Sequence, residues 1–171
     1  DETHALVATK AAVTRDHFNE HTIAFVERGD SKRKLEIIIR AYDDGVALRY
    51  RIPPQSGFDQ LVLRSEETQF AFPADYACYG LNIGRVDSSH EGEIDPVRAS
   101  KIHEHNFYDS PLTCESASGK TAFAIAEADL RGWGGMYLSG LGSGHLGVGT
   151  RISERVDEER VVVRTDRAGE S

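Results

Sequence analysis

The chain has 171 residues, 39% of them hydrophobic and 28% charged, a composition that builds one globular domain and not a disordered tract. Lys and Arg number 20 against 28 Asp and Glu, a formal net charge of −8, which argues against a nucleic-acid partner held through its phosphates and against an anionic membrane. No apolar run approaches the roughly 20 residues of a membrane-spanning helix.

A domain of this size buries roughly 70% of its unfolded surface, so neither metal nor disulfide is needed to hold it together. The sequence opens on Asp1 and shows no signal peptide at its start. A piece of a longer protein is the expectation, ahead of a chain cut after its leader.

Period-two alternation recurs along the chain. Thr22–Val26 places Ile23 and Phe25 on one face of a strand. Leu35, Ile37, Ile39 and Ala41 alternate up to Asp43-Asp44-Gly45, and Val46, Leu48, Tyr50 and Ile52 resume the pattern beyond it. Two alternating runs around an Asp-Gly step predict a hairpin with both runs facing a core. Gly45 is expected to supply the positive φ, so that Gly45→Val costs more than about 1 kcal/mol. Pro53-Pro54 stops the second strand, because proline donates nothing to a ladder.

Further strands are predicted over Leu61–Leu63 and Thr68–Phe72, then Pro111–Glu115 and Thr121–Ala126 as a second hairpin, then Met136–Leu138, Leu146–Ile152 and Arg160–Arg164. Gly84–Ser100 has no periodicity and reads as a long surface loop. No segment carries a capped 3.6-residue apolar stripe. Short strands with regular turns predict an all-β fold, an antiparallel β-sandwich, as a single domain over residues 1–171.

Several strings imitate chemistry. Gly142-Ser143-Gly144-His145-Leu146-Gly147 fits G-x-G-x-x-G, yet a strand-like run follows where a dinucleotide site opens a helix. Gly119-Lys120-Thr121 lacks the first glycine of a phosphate loop, since Cys114 stands there. His103-Glu104-His105 puts two imidazoles on one side of an extended segment, but no third ligand is near in sequence. No G-x-S-x-G elbow occurs. The pairs Glu66-Glu67 and Asp43-Asp44 mark turns and edges, since glycosidase chemistry needs two carboxyls converging across a cleft. Cys78 and Cys114 fit neither a C-x-x-C nor a zinc spacing. Two separate buried thiols and one disulfide both remain open.

One carboxylate stands apart. In Thr121-Ala122-Phe123-Ala124-Ile125-Ala126-Glu127, the acid continues the face that Phe123 and Ile125 define. A carboxylate at the rim of a core needs a cation or a donor beside it. The other reading is a strand that ends there and releases Glu127 to solvent. Parity alone leaves the two even.

The strings His17-Phe18-Asn19-Glu20, Arg40 to Tyr50 (R-A-Y-D-D-G-V-A-L-R-Y), Thr68 to Pro73, Pro111-Leu112-Thr113 and Glu127-Ala128-Asp129-Leu130 followed by Gly135-Met136-Tyr137-Leu138 stand in a distinctive order. From about His17 to Leu138 the chain resembles the N-terminal β-sandwich domain of glycoside hydrolase family 97, exo-acting α-glucosidases and α-galactosidases. The resemblance implies a large two-sheet sandwich (a supersandwich, similar to galactose mutarotase), truncated here at one or both ends. It implies as partners a (β/α)8 barrel that carries the catalytic carboxylates and an oligosaccharide substrate.

The resemblance also implies a calcium ion held mostly by barrel glutamates, with Glu127 as the one metal ligand from this domain. Calcium takes oxygen ligands, which suits a carboxylate. With the barrel absent, the chain alone is expected to carry no catalytic residue and to hydrolyse nothing. A periplasmic or secreted location is the expectation. The alternative is a stand-alone carbohydrate-binding or interaction module, with Trp133 and the tyrosines as stacking platforms.

Overall fold

The computed structural model describes residues 1–7, 11–57, 60–130, 132–152 and 161–164. Among these residues fourteen strands run in order: β1 (Glu2–Ala5), β2 (Val13–Asp16), β3 (Asn19–Val26), β4 (Lys34–Ala41), β5 (Val46–Arg51), β6 (Gln60–Leu63), β7 (Gln69–Ala71), β8 (Ala77–Tyr79), β9 (Pro96–Arg98), β10 (Leu112–Glu115), β11 (Ala122–Ile125), β12 (Met136–Gly140), β13 (Gly147–Ile152) and β14 (Val161–Arg164). A single 3-10 turn, Ala99–Lys101, is the helical content of the described residues, and no helix among them is long and apolar enough to cross a membrane. The fold is all-β, and the pairings β1–β2, β3–β4, β4–β5, β8–β9, β8–β10, β10–β11, β12–β13 and β7–β13 are antiparallel. The chain divides into two compact units, residues 1–59 with 164–171, and residues 60–163.

The first unit holds the β1–β2 pair and the sheet β3–β4–β5. Register aligns Ile23, Ile37 and Tyr50, and next to them His21, Ile39 and Leu48, so the predicted apolar alternation does form one face. The opposite face is charged: Arg40 donates to Glu20 at 2.7 Å, Arg51 to Glu36 at 2.5 Å, and the Arg40 guanidinium lies 4.1 Å over the Phe18 ring. That apolar face was expected to meet a core, yet Ile23, Phe25 and Leu48 keep 37%, 47% and 46% of their surface exposed. Alternation determines which side chains share a face; it does not supply a layer to cover them.

The turn between β4 and β5 also departs from expectation. Ala41 pairs with Val46 and the Tyr42 amide donates to the Gly45 carbonyl at 2.8 Å, so Asp43 and Asp44 form the centre of the turn. Gly45 does not take the left-handed backbone. Neither Asp43 nor Asp44 takes a positive φ either, so no position of this turn calls for glycine. A Cβ built on Gly45 meets nothing within 4 Å. Gly45→Ala should therefore shift the denaturation free energy by less than about 0.5 kcal/mol, in the stabilising direction if at all. A loss above about 1 kcal/mol in a urea titration would restore the discarded turn.

The second unit carries the core. The sheet β11–β10–β8–β9 and the sheet β12–β13–β7 contribute Leu112, Cys78, Cys114 and Ile125 from one side and Leu138 and Val148 from the other, to a single buried cluster completed by Phe72, Ala99, Ile102 and Tyr108. Two antiparallel sheets sharing one core are a β-sandwich. Phe72, Tyr76 and Phe123 close it with three near-perpendicular ring contacts at 5.2 to 5.9 Å, the edge-to-face geometry that aromatic quadrupoles favour. Leu112, Leu138 and Val148 are fully buried, each stabilising the fold by roughly 1.5–3 kcal/mol.

Cys78 and Cys114 are register partners on β8 and β10 and are joined in a disulfide, their Cα atoms 4.0 Å apart. That settles the choice left open by their spacing.

The predicted loop Gly84–Ser100 is shorter than expected. Its last third forms β9, at the edge of the sheet, and leads into the 3-10 turn, which buries Ala99. Pro96 sits at the first position of an edge strand, where its missing N–H is harmless. Strands β1, β2 and β8 lacked enough alternation to be read, being four residues or fewer. The G-x-G-x-x-G string runs through the β12–β13 connection into the first residue of β13, and Gly119-Lys120 lies in the β10–β11 turn.

Candidate functional site

Strand β11 buries Ile125, packs the half-buried Phe123 against the core and exposes Ala122 and Ala124. The strand ends at Ile125, but the alternation persists: Ala126 is exposed and Glu127 half-buried. Glu127 is not released into solvent, because its Oε2 accepts a hydrogen bond from the Met136 amide at 3.2 Å, at the start of β12. An amide donor on one oxygen orients the carboxylate and leaves the other oxygen for a second partner.

Tyr137 follows Met136 on β12. Its ring lies 4.9 Å from that of Phe107 and 6.0 Å from the imidazole of His90. His90 Nδ1 is 2.9 Å from Asp109 Oδ2, while Asp109 Oδ1 accepts the Ser110 amide at 2.9 Å. Hydrogen bonding to Asp109 raises the His90 pKa above its ordinary 6.5. Burial raises that of the Tyr137 hydroxyl, with the negative charges of Asp109 and Glu127 pushing the same way. Glu127, Tyr137, Asp109 and His90 thus share one electrostatic neighbourhood. Phe107 links it to a cleft of about 560 Å³ lined by Arg64, Glu66, Glu104, Thr150 and Arg151 among others.

The remaining sequence candidates separate. His103 and His105 stack at 5.3 Å, and no group of three His, Cys, Asp or Glu side chains suited to a metal occurs among the described residues. Trp133 donates its Nε1–H to Glu66 Oε2 at 2.8 Å, and Glu66 Oε1 takes the Thr68 hydroxyl at 2.8 Å. That ties the half-buried indole down by its edge. Glu127 alone offers one carboxylate, against the 6 to 8 oxygens that calcium takes. It fits as a single ligand of a larger site and not as a site by itself.

His90 and Asp109 carried no signal in the sequence. They are 19 residues apart on segments without periodicity, and only folding brings them together. Tyr137 lay within the quoted Gly135-Met136-Tyr137-Leu138 string, but nothing in that string marked its neighbours.

Among the described residues the antiparallel sandwich thus carries one rim carboxylate oriented by a backbone amide and no group of three side chains suited to a metal. The model of the glycosyl-hydrolase 97 N-terminal family matches residues 1–162, and the chain belongs to that family. A retaining alpha-galactosidase of Bacteroides thetaiotaomicron is 25% identical over 142 residues, covering 76% of this chain and 20% of that enzyme.

Among solved structures, a variant of a glycoside hydrolase family 97 enzyme from Pseudoalteromonas sp. strain K8 superposes with a TM-score of 0.73 at 17% identity, over 95% of this chain and 25% of that one. A beta-arabinopyranosidase superposes at 0.77 with 21% identity, over 96% and 28%. The chain therefore spans about a quarter of the length of these relatives and shares the fold of that portion.

Proposed function

We propose that this domain serves an exo-acting α-glucosidase or α-galactosidase by packing on a catalytic (β/α)8 barrel and lending one calcium ligand, Glu127, to the site where the oligosaccharide is cleaved. The supporting observation is the half-buried carboxylate that extends the buried face of β11 and is held by the Met136 amide. A ligand fixed in this way keeps its second oxygen aimed without loss of side-chain freedom on binding. The calcium, when bound, supplies a fixed positive charge beside the sugar; the hydrolytic carboxylates belong to the barrel. The Cys78–Cys114 disulfide supports an oxidising compartment, periplasmic or extracellular.

In the parent enzyme, Glu127→Gln keeps size and removes charge. Calcium affinity and calcium-dependent hydrolysis should each fall about tenfold or more, with the melting curve little changed. Isothermal titration with calcium and turnover of p-nitrophenyl α-glycosides read both. Wild-type calcium binding and turnover in that variant would reduce Glu127 to a surface acid. The 171-residue chain, purified to homogeneity, should turn over neither the α-glucoside nor the α-galactoside.

A further inference from the structure

Residues 84–95 cross the second unit between β8 and β9 without regular structure. Within the segment the hydrogen bonds are local: Gly84 N to Asn82 Oδ1, His90 N to Ser88 Oγ, and an exposed Arg85–Asp87 ion pair at 3.1 Å. Its fastening at a distance is the His90 side chain, bonded to Asp109 beside β10 and laid against Tyr137 on β12. His90 adopts a φ of +55°, a left-handed backbone uncommon for a residue with a Cβ, which the surrounding contacts must hold in place.

The His90–Asp109 contact is an ion pair only in the imidazolium form, and a charge-assisted hydrogen bond is stronger than a neutral one. Val86, four residues before His90 on the same segment, lines the cleft that Phe107 shares.

We propose that segment 84–95 is a pH-operated strap: protonated His90 clips it across Tyr137 to Asp109, and loss of that proton releases it and opens the Val86–Phe107 end of the cleft. The titratable groups touching His90 are Asp109 and Tyr137; Arg85, Asp87 and Glu91 lie on its own segment. Burial raises the Tyr137 hydroxyl above 10, so it stays neutral while His90 titrates. The His90 pKa is raised in the clipped state. The stabilisation is therefore complete below the ordinary 6.5 and is lost as pH rises through the higher, clipped value. None of this depends on calcium or on Glu127.

The test is tryptic cleavage after Arg85 in the intact chain, normalised at each pH to a free peptide of residues 80–95. The normalised rate should rise several-fold between pH 6 and pH 8.5 in the wild type. It should be flat in His90→Gln, whose neutral amide does not titrate. Proton NMR should show His90 titrating above a free histidine in the wild type. A pH-independent cleavage ratio in the wild type, an unchanged pH response in His90→Gln, or a His90 that titrates like a free histidine overturns the strap. The wild-type measurements decide it even if a variant fails to fold.

Discussion

Removing the Cys78–Cys114 bridge is expected to lower unfolding stability by about 3–4 kcal/mol. The two cysteines close a loop of 36 residues, and for a loop of that length the chain-entropy account gives about 4 kcal/mol. Both are fully buried in the core that joins the two sheets of the second unit, so the loss falls on the structure that carries Glu127 and His90. A Cys78→Ala/Cys114→Ala double variant compared with the wild type in urea measures it, and wild type under a reducing agent provides the control. A midpoint shift below what about 1 kcal/mol produces would show that sheet pairing alone holds β8 against β10. A loss near the expected value would leave a stability margin typical of small domains almost spent.

Gly147→Ala should cost about 3 kcal/mol or more. Gly147 opens β13 with a φ of +137°, a region open to glycine and closed to residues with a side chain. Space is denied as well: a Cβ there would stand 2.2 Å from the Phe70 carbonyl oxygen and 3.0 Å from the Ala71 Cα, both backbone atoms of the neighbouring strand β7. Backbone cannot swing aside as a flexible side chain can, so the β13–β7 pairing must shift. The paired variant Gly144→Ala meets nothing within 4 Å, although its φ of +77° carries its own strain. It should cost clearly less. Equal losses in the two, read by thermal or urea unfolding, would remove close approach as the reason for glycine at 147.

The comparison of Gly45 with Gly147 shows how far local pattern reaches. Asp-Gly at 44–45 suggested a glycine-dependent turn, yet the β4–β5 register centres the turn on the two aspartates. Gly147 sat unremarked at the end of a nucleotide-like string, and its constraint comes from β7, some 75 residues earlier in the chain. A turn residue answers to its neighbours in sequence, whereas a close approach answers to a strand that only the fold brings alongside.

By itself the sequence determined the strands that alternate, β3 to β7 and β10 to β14, since period-two alternation is a property of the extended backbone wherever it lies. It also determined the face on which Glu127 sits, because parity counted along β11 does not depend on what β11 packs against. The order of its motifs sufficed for the family that the comparison over residues 1–162 establishes.

Only the tertiary structure decided the rest. It placed Cys78 opposite Cys114, where strands 36 residues apart in sequence pair. It seated Glu127 under the Met136 amide, and brought His90 to Asp109 and Tyr137. It also left Phe25 and Leu48 exposed where alternation promised a core. The physical reason is common to all four: a side chain's face is written in local geometry, whereas its partner is set by long-range strand pairing and sheet packing.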